Sequence, residues 1–125
     1  MDILDSRTLY IKMSRNSRIQ LFNKYKRDSV RRDIEFGISL PYFSGVISRS
    51  CHYCDCPPSS VFKNGKKSRS YELLYNGIDR IDNERGYLKR NCVSCCKRCN
   101  FAKSKLTKEE FLDMVKEIYN KHFTR

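Results

Sequence analysis

Apolar residues recur along this chain in short blocks separated by basic and polar stretches, and the spacing within each block predicts an element. Over residues 14–33, Ile19, Phe22, Tyr25 and Val30 trace one face of a helix, though only roughly. Ile34-Glu35-Phe36-Gly37-Ile38 alternates apolar with small or polar residues, the pattern of a short strand. Residues 39–47 predict a short helix with Pro41 near its start, where a fixed φ and a missing N–H are tolerated. Residues 59–70 carry the turn dipeptide Asn64-Gly65 and the basic tip Lys66-Lys67, and predict a mobile loop. Residues 71–81 read as a strand interrupted at Asn76-Gly77, and residues 83–87 as a turn where Gly86 supplies a permissive backbone. Cys92 and Val93 form the returning strand, and residues 97–103 a short helix, giving the order strand, turn, strand, helix. The last block opens with Thr107-x-x-Glu110, a capping box that satisfies the first free amides of a helix. Phe111, Met114, Val115 and Ile118 follow at helical spacing, a stripe that core packing explains better than a cofactor site does.

Length and charge narrow the class. A chain of 125 residues fits one domain, and a core of that size is modest enough for a structural metal to matter. With 26 Lys and Arg against 14 Asp and Glu, the formal charge is +12, which points to a polyanionic partner. Arg15, Arg18, Lys24, Lys26, Arg27, Arg31 and Arg32 occupy the other faces of the first helix, where they either follow a phosphate backbone or face water. The basic loop around Lys66 and Lys67 is a second candidate contact. No apolar stretch is long enough to span a bilayer, and no apolar run followed by small residues opens the sequence; the expectation is a soluble chain, neither secreted nor membrane-bound.

Seven cysteines, an odd number, suit a reducing compartment with a metal better than a secreted disulfide framework. Cys51/Cys54 and Cys96/Cys99 form two C-x2-C pairs on either side of a long insert, the spacing of a tetrahedral zinc site in which each pair chelates from a tight turn. Cys56 could stand in for Cys54 and Cys95 for Cys96, while Cys92 and Cys95 read better as strand residues packed near the metal. His52, inside the first pair, reads as a surface residue. The tethered insert is where chemistry is expected.

The run Asn76-Gly77-Ile78-Asp79-Arg80-Ile81-Asp82-Asn83, followed by Gly86-Tyr87, Asn91 and Cys95-Cys96-Lys97-Arg98-Cys99-Asn100-x-x-Lys103, resembles the zinc-containing HNH endonucleases common in bacteriophages and mobile elements. The resemblance extends from Cys51 to about Tyr119. It implies an α+β fold, a zinc-stapled ββα-metal (His-Me finger-like) domain over residues 51–125. A basic helical extension over residues 1–50 would pack on that domain, and a C-terminal helix would complete the unit. In that family a hairpin and a helix clamp one divalent ion against the scissile phosphate. By resemblance Asp79 is the acidic metal ligand, Asn91 the residue that braces the hairpin loop, and Asn100 the second metal ligand. A carboxylate and an amide oxygen are hard donors suited to Mg²⁺ or Mn²⁺. The structural alternatives are a turn carboxylate for Asp79 and helix caps for the two asparagines.

One position departs from the family. Arg80 stands where the family has the histidine that takes a proton from the attacking water. Arginine stays protonated, so it can hold phosphate or stabilise developing charge but cannot be a base. Asp82, two residues along a strand and hence on the same side, is a substitute base; a metal-bound hydroxide is another, and loss of activity a third outcome. The leading expectation is a DNA endonuclease of bacterial cytoplasm, monomeric or dimeric, acting on duplex, nicked or branched DNA, with Arg18, Lys26, Arg27, Arg31, Lys66, Lys67 and Lys103 on nucleic acid. Its rivals are a non-catalytic zinc-finger binder and a structural RNA-associated zinc protein.

Overall fold

The computed structural model describes residues 6–63 and 72–124. Its first element, α1 (Ser6–Arg31), is one helix of 26 residues, starting well before the apolar pattern does. Ser17, Leu21, Tyr25 and Ser29 recur every four residues and turn inward together. The sequence pattern misplaced this face: it included Val30, which is 80% exposed, and passed over two serines that are buried. Ser29 is tolerated there because its hydroxyl donates to the Tyr25 carbonyl one turn back, at 2.7 Å, so no polar group is orphaned.

Asp33 ends the α1 region with φ of 56°, and the expected strand over residues 34–38 does not extend into a sheet. Only Phe36 pairs, in a parallel bridge to Tyr87, through Tyr87 N–H to the Glu35 carbonyl and Gly37 N–H to the Tyr87 carbonyl, both 2.8 Å. Helix α2 (Leu40–Ile47) begins as predicted: the Ser39 hydroxyl accepts the Tyr42 N–H and Pro41 sits in the first turn. Its Phe43, Val46 and Ile47 are the most deeply buried apolar residues, and with Leu21, Ile38, Leu73, Ile78, Tyr87 and Cys92 they form the core. Phe22, Tyr25 and Phe36 pack their rings around Phe43 and Tyr87, edge-on except for the tilted Phe36–Tyr87 pair, with centroids 5.3–5.9 Å apart.

The expected loop over residues 59–70 contains a strand, β1 (Ser60–Lys63), paired antiparallel with β2 (Glu72–Tyr75); Asn64-Gly65 and the candidate contacts Lys66 and Lys67 lie outside the described residues. A second hairpin pairs β3 (Gly77–Arg80) with β4 (Cys92–Cys95), Gly77 opposite Cys95 and Arg80 opposite Cys92. Between β2 and β3 lies only Asn76, yet they belong to different sheets. Asn76 is the reason: buried, it gives its N–H to the Ile47 carbonyl at 2.9 Å and its amide to the carbonyls of Arg49 and Cys56 at 2.9 and 3.3 Å. The chain is bound at this point to the end of α2 and the first cysteine pair, so the ladder must break and restart.

Two helices follow the hairpin, α3 (Lys97–Lys103) and α4 (Lys108–Phe123). The capping box that opens α4 is complete, with Thr107 Oγ1 accepting the Glu110 N–H and Glu110 Oε1 accepting the Thr107 N–H. Its apolar stripe departs from the core-packing expectation. Phe111 is buried against Tyr53, but Val115 and Ile118 are about half exposed, because no element among the described residues covers the later turns of this helix. The architecture is α+β: two small hairpins held among helices, with the second hairpin and α3 side by side at the cysteine cluster.

Candidate functional site

The first cysteine pair sits in a tight turn after α2. Cys51 N–H donates to the Cys56 carbonyl at 2.8 Å, Asp55 N–H to the Cys51 carbonyl at 2.9 Å, and Asp55 takes φ of 64° to close the turn. His52 N–H donates to the Ser94 carbonyl at 2.7 Å, which lays this turn along β4. The second pair spans the start of α3, where Cys96 is itself the N-cap. The sulfur atoms of Cys51, Cys54, Cys96 and Cys99 all lie within 4.8 Å of one another, and among the described residues this is the group of His, Cys, Asp and Glu side chains that could hold a metal.

The geometry fits zinc. Tetrahedral zinc–thiolate bonds of about 2.3 Å put neighbouring sulfurs about 3.8 Å apart, and Cys54 Sγ and Cys96 Sγ are separated by 3.7 Å. Backbone N–H groups already point at the sulfurs, Cys96 N–H at Cys51 Sγ (3.3 Å), which ties the two pairs to each other, and Cys99 N–H at Cys96 Sγ (3.4 Å). The Cys54 thiol is lowered to about 6, first by the Cys56 backbone N–H. Cys56, Cys95 and Cys92 stand outside the group: Cys95 donates its thiol to the Cys96 carbonyl at 3.5 Å, and Cys92 belongs to the apolar core.

Asp79 lies on β3 opposite Val93 and is 5% exposed. Its carboxylate accepts the Tyr53 hydroxyl at 2.7 Å, and the Lys103 ammonium lies 3.2 Å from each of its oxygens. Burial first, then the Asp79 carboxylate, pushes the Tyr53 phenol far above its ordinary range, so Tyr53 remains a donor. Lys103 is 0% exposed, which corrects its reading as a nucleic-acid contact: one turn beyond Cys99, it reaches inward and neutralises Asp79. Neither Tyr53 nor Lys103 was assigned to the centre from sequence. The Asn100-x-x-Lys103 spacing placed Lys103 on α3, but nothing in the chain's order says that it turns inward.

Arg80 faces away from Asp79. Its guanidinium donates to the carbonyls of Asn83 and Arg85 at 3.0 and 2.8 Å and lies over the Tyr87 ring, 5.6 Å from its centroid. Asp82 falls two residues past Arg80, beyond the end of β3, so strand alternation does not place it beside Arg80. Its Oδ1 accepts the Glu84 N–H at 2.9 Å, an Asx turn. Asn91, 2% exposed, spans the same loop: Oδ1 accepts the Asp82 N–H at 2.9 Å, and Nδ2 donates to the carbonyls of Asp82 (3.1 Å) and Gly86 (2.8 Å). Two side chains, Arg80 and Asn91, therefore hold residues 82–87 to the hairpin, and Asp82 braces the loop from within.

Asn100 is exposed on α3, and among the described residues no hydrogen bond reaches its side chain or joins it to Asp79. A carboxylate offers about four lone-pair positions, of which Tyr53 and Lys103 occupy most. Asp79 on the strand is thus enclosed by its two partners at 5% exposure, while Asn100 on the helix is open to solvent. Of the remaining basic candidates, Lys26, Arg27 and Arg31 are exposed on α1 and Arg18 is half-buried there. Lys26 reaches over the Phe22 ring, and Arg31 pairs with Asp28 at 3.2 Å.

The fold has a likeness among solved structures. The rare-cutting HNH restriction endonuclease PacI superposes with a TM-score of 0.58 at 19% identity, covering 83% of this chain and 77% of its own. The fold is HNH-like. In sequence, 99 residues (79% of the chain) are 33% identical to uncharacterized protein R423 of Acanthamoeba polyphaga mimivirus. The aligned part makes up 16% of that protein, so the chain spans about a sixth of the relative's length. No family model matches the chain. No helix among the described residues is long and apolar enough to cross a membrane.

Proposed function

We propose that this HNH-like domain is a DNA endonuclease module that hydrolyses phosphodiester bonds with one divalent ion, Mg²⁺ or Mn²⁺, held by Asp79 and Asn100 on a zinc-stapled finger. The observation that carries it is the buried carboxylate of Asp79, set on β3 beside α3 and held by Tyr53 and Lys103 next to the four-cysteine group. When bound, such an ion supplies Lewis-acid stabilisation of phosphoryl oxygen and an acidified water. The chain's own part is positional. Lys103 and Tyr53 fix the orientation of the Asp79 carboxylate. Asn91 and Arg80 hold the hairpin loop in one shape, so that α1 and α3 present their basic surfaces on a rigid frame. The likeness to PacI supports this reading.

A second reading, a non-catalytic DNA binder, is favoured by one observation. Arg80, in the place of the general base, is committed to two backbone carbonyls and an aromatic ring, and no histidine replaces it in the hairpin. Supercoiled plasmid separates the two. With zinc-loaded protein, conversion to open-circular or linear DNA that requires Mg²⁺ or Mn²⁺ is expected of the nuclease; retarded but uncut plasmid with either metal would establish the binder.

A further inference from the structure

Phe101 is 84% exposed on α3, between the basic residues Lys97 and Arg98 on one side and the buried Lys103 on the other. It stands at a cleft of about 1080 Å³ that runs between α3 and the β1–β2 hairpin and is also lined by Tyr75, Ser60, Lys97, Arg98 and Asn100. A single exposed apolar residue needs no explanation, but this one is an aromatic ring at a roomy cleft whose rim is cationic. Its position on α3 also fixes it rigidly: Cys96 and Cys99 anchor the preceding turn, and Lys103 is pinned to Asp79 in the following one.

We propose that this cleft takes an unpaired DNA base, stacked on the Phe101 ring, with Lys97 and Arg98 holding the flanking phosphates. The inference rests on the reading that DNA is the partner. A phenyl face accepts any base by stacking, while ammonium and guanidinium groups follow the backbone without regard to sequence, the combination that binds single-stranded segments. A fully paired duplex keeps its bases stacked on one another and offers none to the ring unless one is extruded at a cost. The favoured substrate class is therefore DNA with unpaired bases at a gap, flap or melted step. Asn100 lines the same cleft, so a base held there brings its own phosphate near that side chain.

The test uses zinc-loaded full chain without added Mg²⁺ or Mn²⁺, so that binding is read without cleavage. The probes are a duplex with a short gap carrying 2-aminopurine opposite the break, and the matching intact duplex. The gapped probe is expected to bind roughly tenfold more tightly, with quenched 2-aminopurine fluorescence from stacking. Phe101→Ala should remove both the preference and the quenching while intact-duplex affinity stays unchanged, and Phe101→Tyr should keep them. Equal affinity of wild type for both probes, or a preference that survives Phe101→Ala, overturns the inference. Binding to the intact duplex with no preference refutes this site alone; no binding to either probe refutes the DNA reading with it.

Discussion

A carboxylate as deeply buried as Asp79 is stable only because Lys103 is buried against it. Removing one member of such a pair leaves an uncompensated charge, which costs about 3–5 kcal/mol. Lys103→Met should accordingly lower the urea midpoint sharply, and the double variant Lys103→Met/Asp79→Asn should recover much of the loss; equal losses in single and double variants would show that the pair is not coupled. Gly86 has a different constraint. A Cβ there would run into the Glu35 backbone, where the residue 35–37 segment crosses Tyr87. Gly86→Ala should destabilise by about 1–3 kcal/mol, as overpacking does, which a denaturation curve at constant m-value would report. The sequence reading explained Gly86 by turn geometry alone. Close approach by a segment fifty residues away is a tertiary fact, and local pattern carries no trace of it. Arg80 shows the same limit: its position in the motif suggested chemistry, whereas its contacts are with Asn83, Arg85 and Tyr87.

At the scale of elements, legibility followed how locally each signal is determined. Helix α2, the capping box of α4, the β3–β4 return and the four-cysteine set were readable because caps, turns and C-x2-C spacing act within a few residues. Strand β1 was missed because its pairing with β2 is decided across a loop, and the strand at residues 34–38 was overstated because only one bridge forms. The α4 stripe shows that periodicity reports amphipathicity and not what covers it. Among these, the four-cysteine group, which could hold zinc, carries the largest prediction. A metal on the four cysteines would join the turn at residues 51–54 to the start of α3, so its loss would free that turn from the helix. Chelation should collapse near-UV ellipticity and expose the Phe43 core, with recovery on adding zinc; a chelated protein with unchanged tertiary signal and no bound zinc would rule out the metal as the staple.

For the whole molecule the governing quantity is its charge of +12. Attraction to DNA led by released counterions predicts that log affinity for duplex falls linearly with log salt, steeply, and hardly changes with sequence. Replacing Lys26, Arg27 and Arg31 together by Ala should flatten that slope, since each lost phosphate contact removes about 0.9 from it; an unaltered slope would move the binding face off α1. Contacts of this kind would locate DNA on the protein without cutting it, and cutting is the central claim. The direct measurement is relaxation of supercoiled plasmid in Mn²⁺ by wild type and Asn100→Ala, both first shown to hold one zinc. The Asn100 side chain is exposed and, among the described residues, makes no hydrogen bond, so its loss should leave structure intact. The account predicts metal-dependent nicking by wild type and at least a hundredfold slower nicking by the variant, about 2.7 kcal/mol of lost transition-state stabilisation. Equal rates in the two proteins, or a wild type that never nicks, would contradict it.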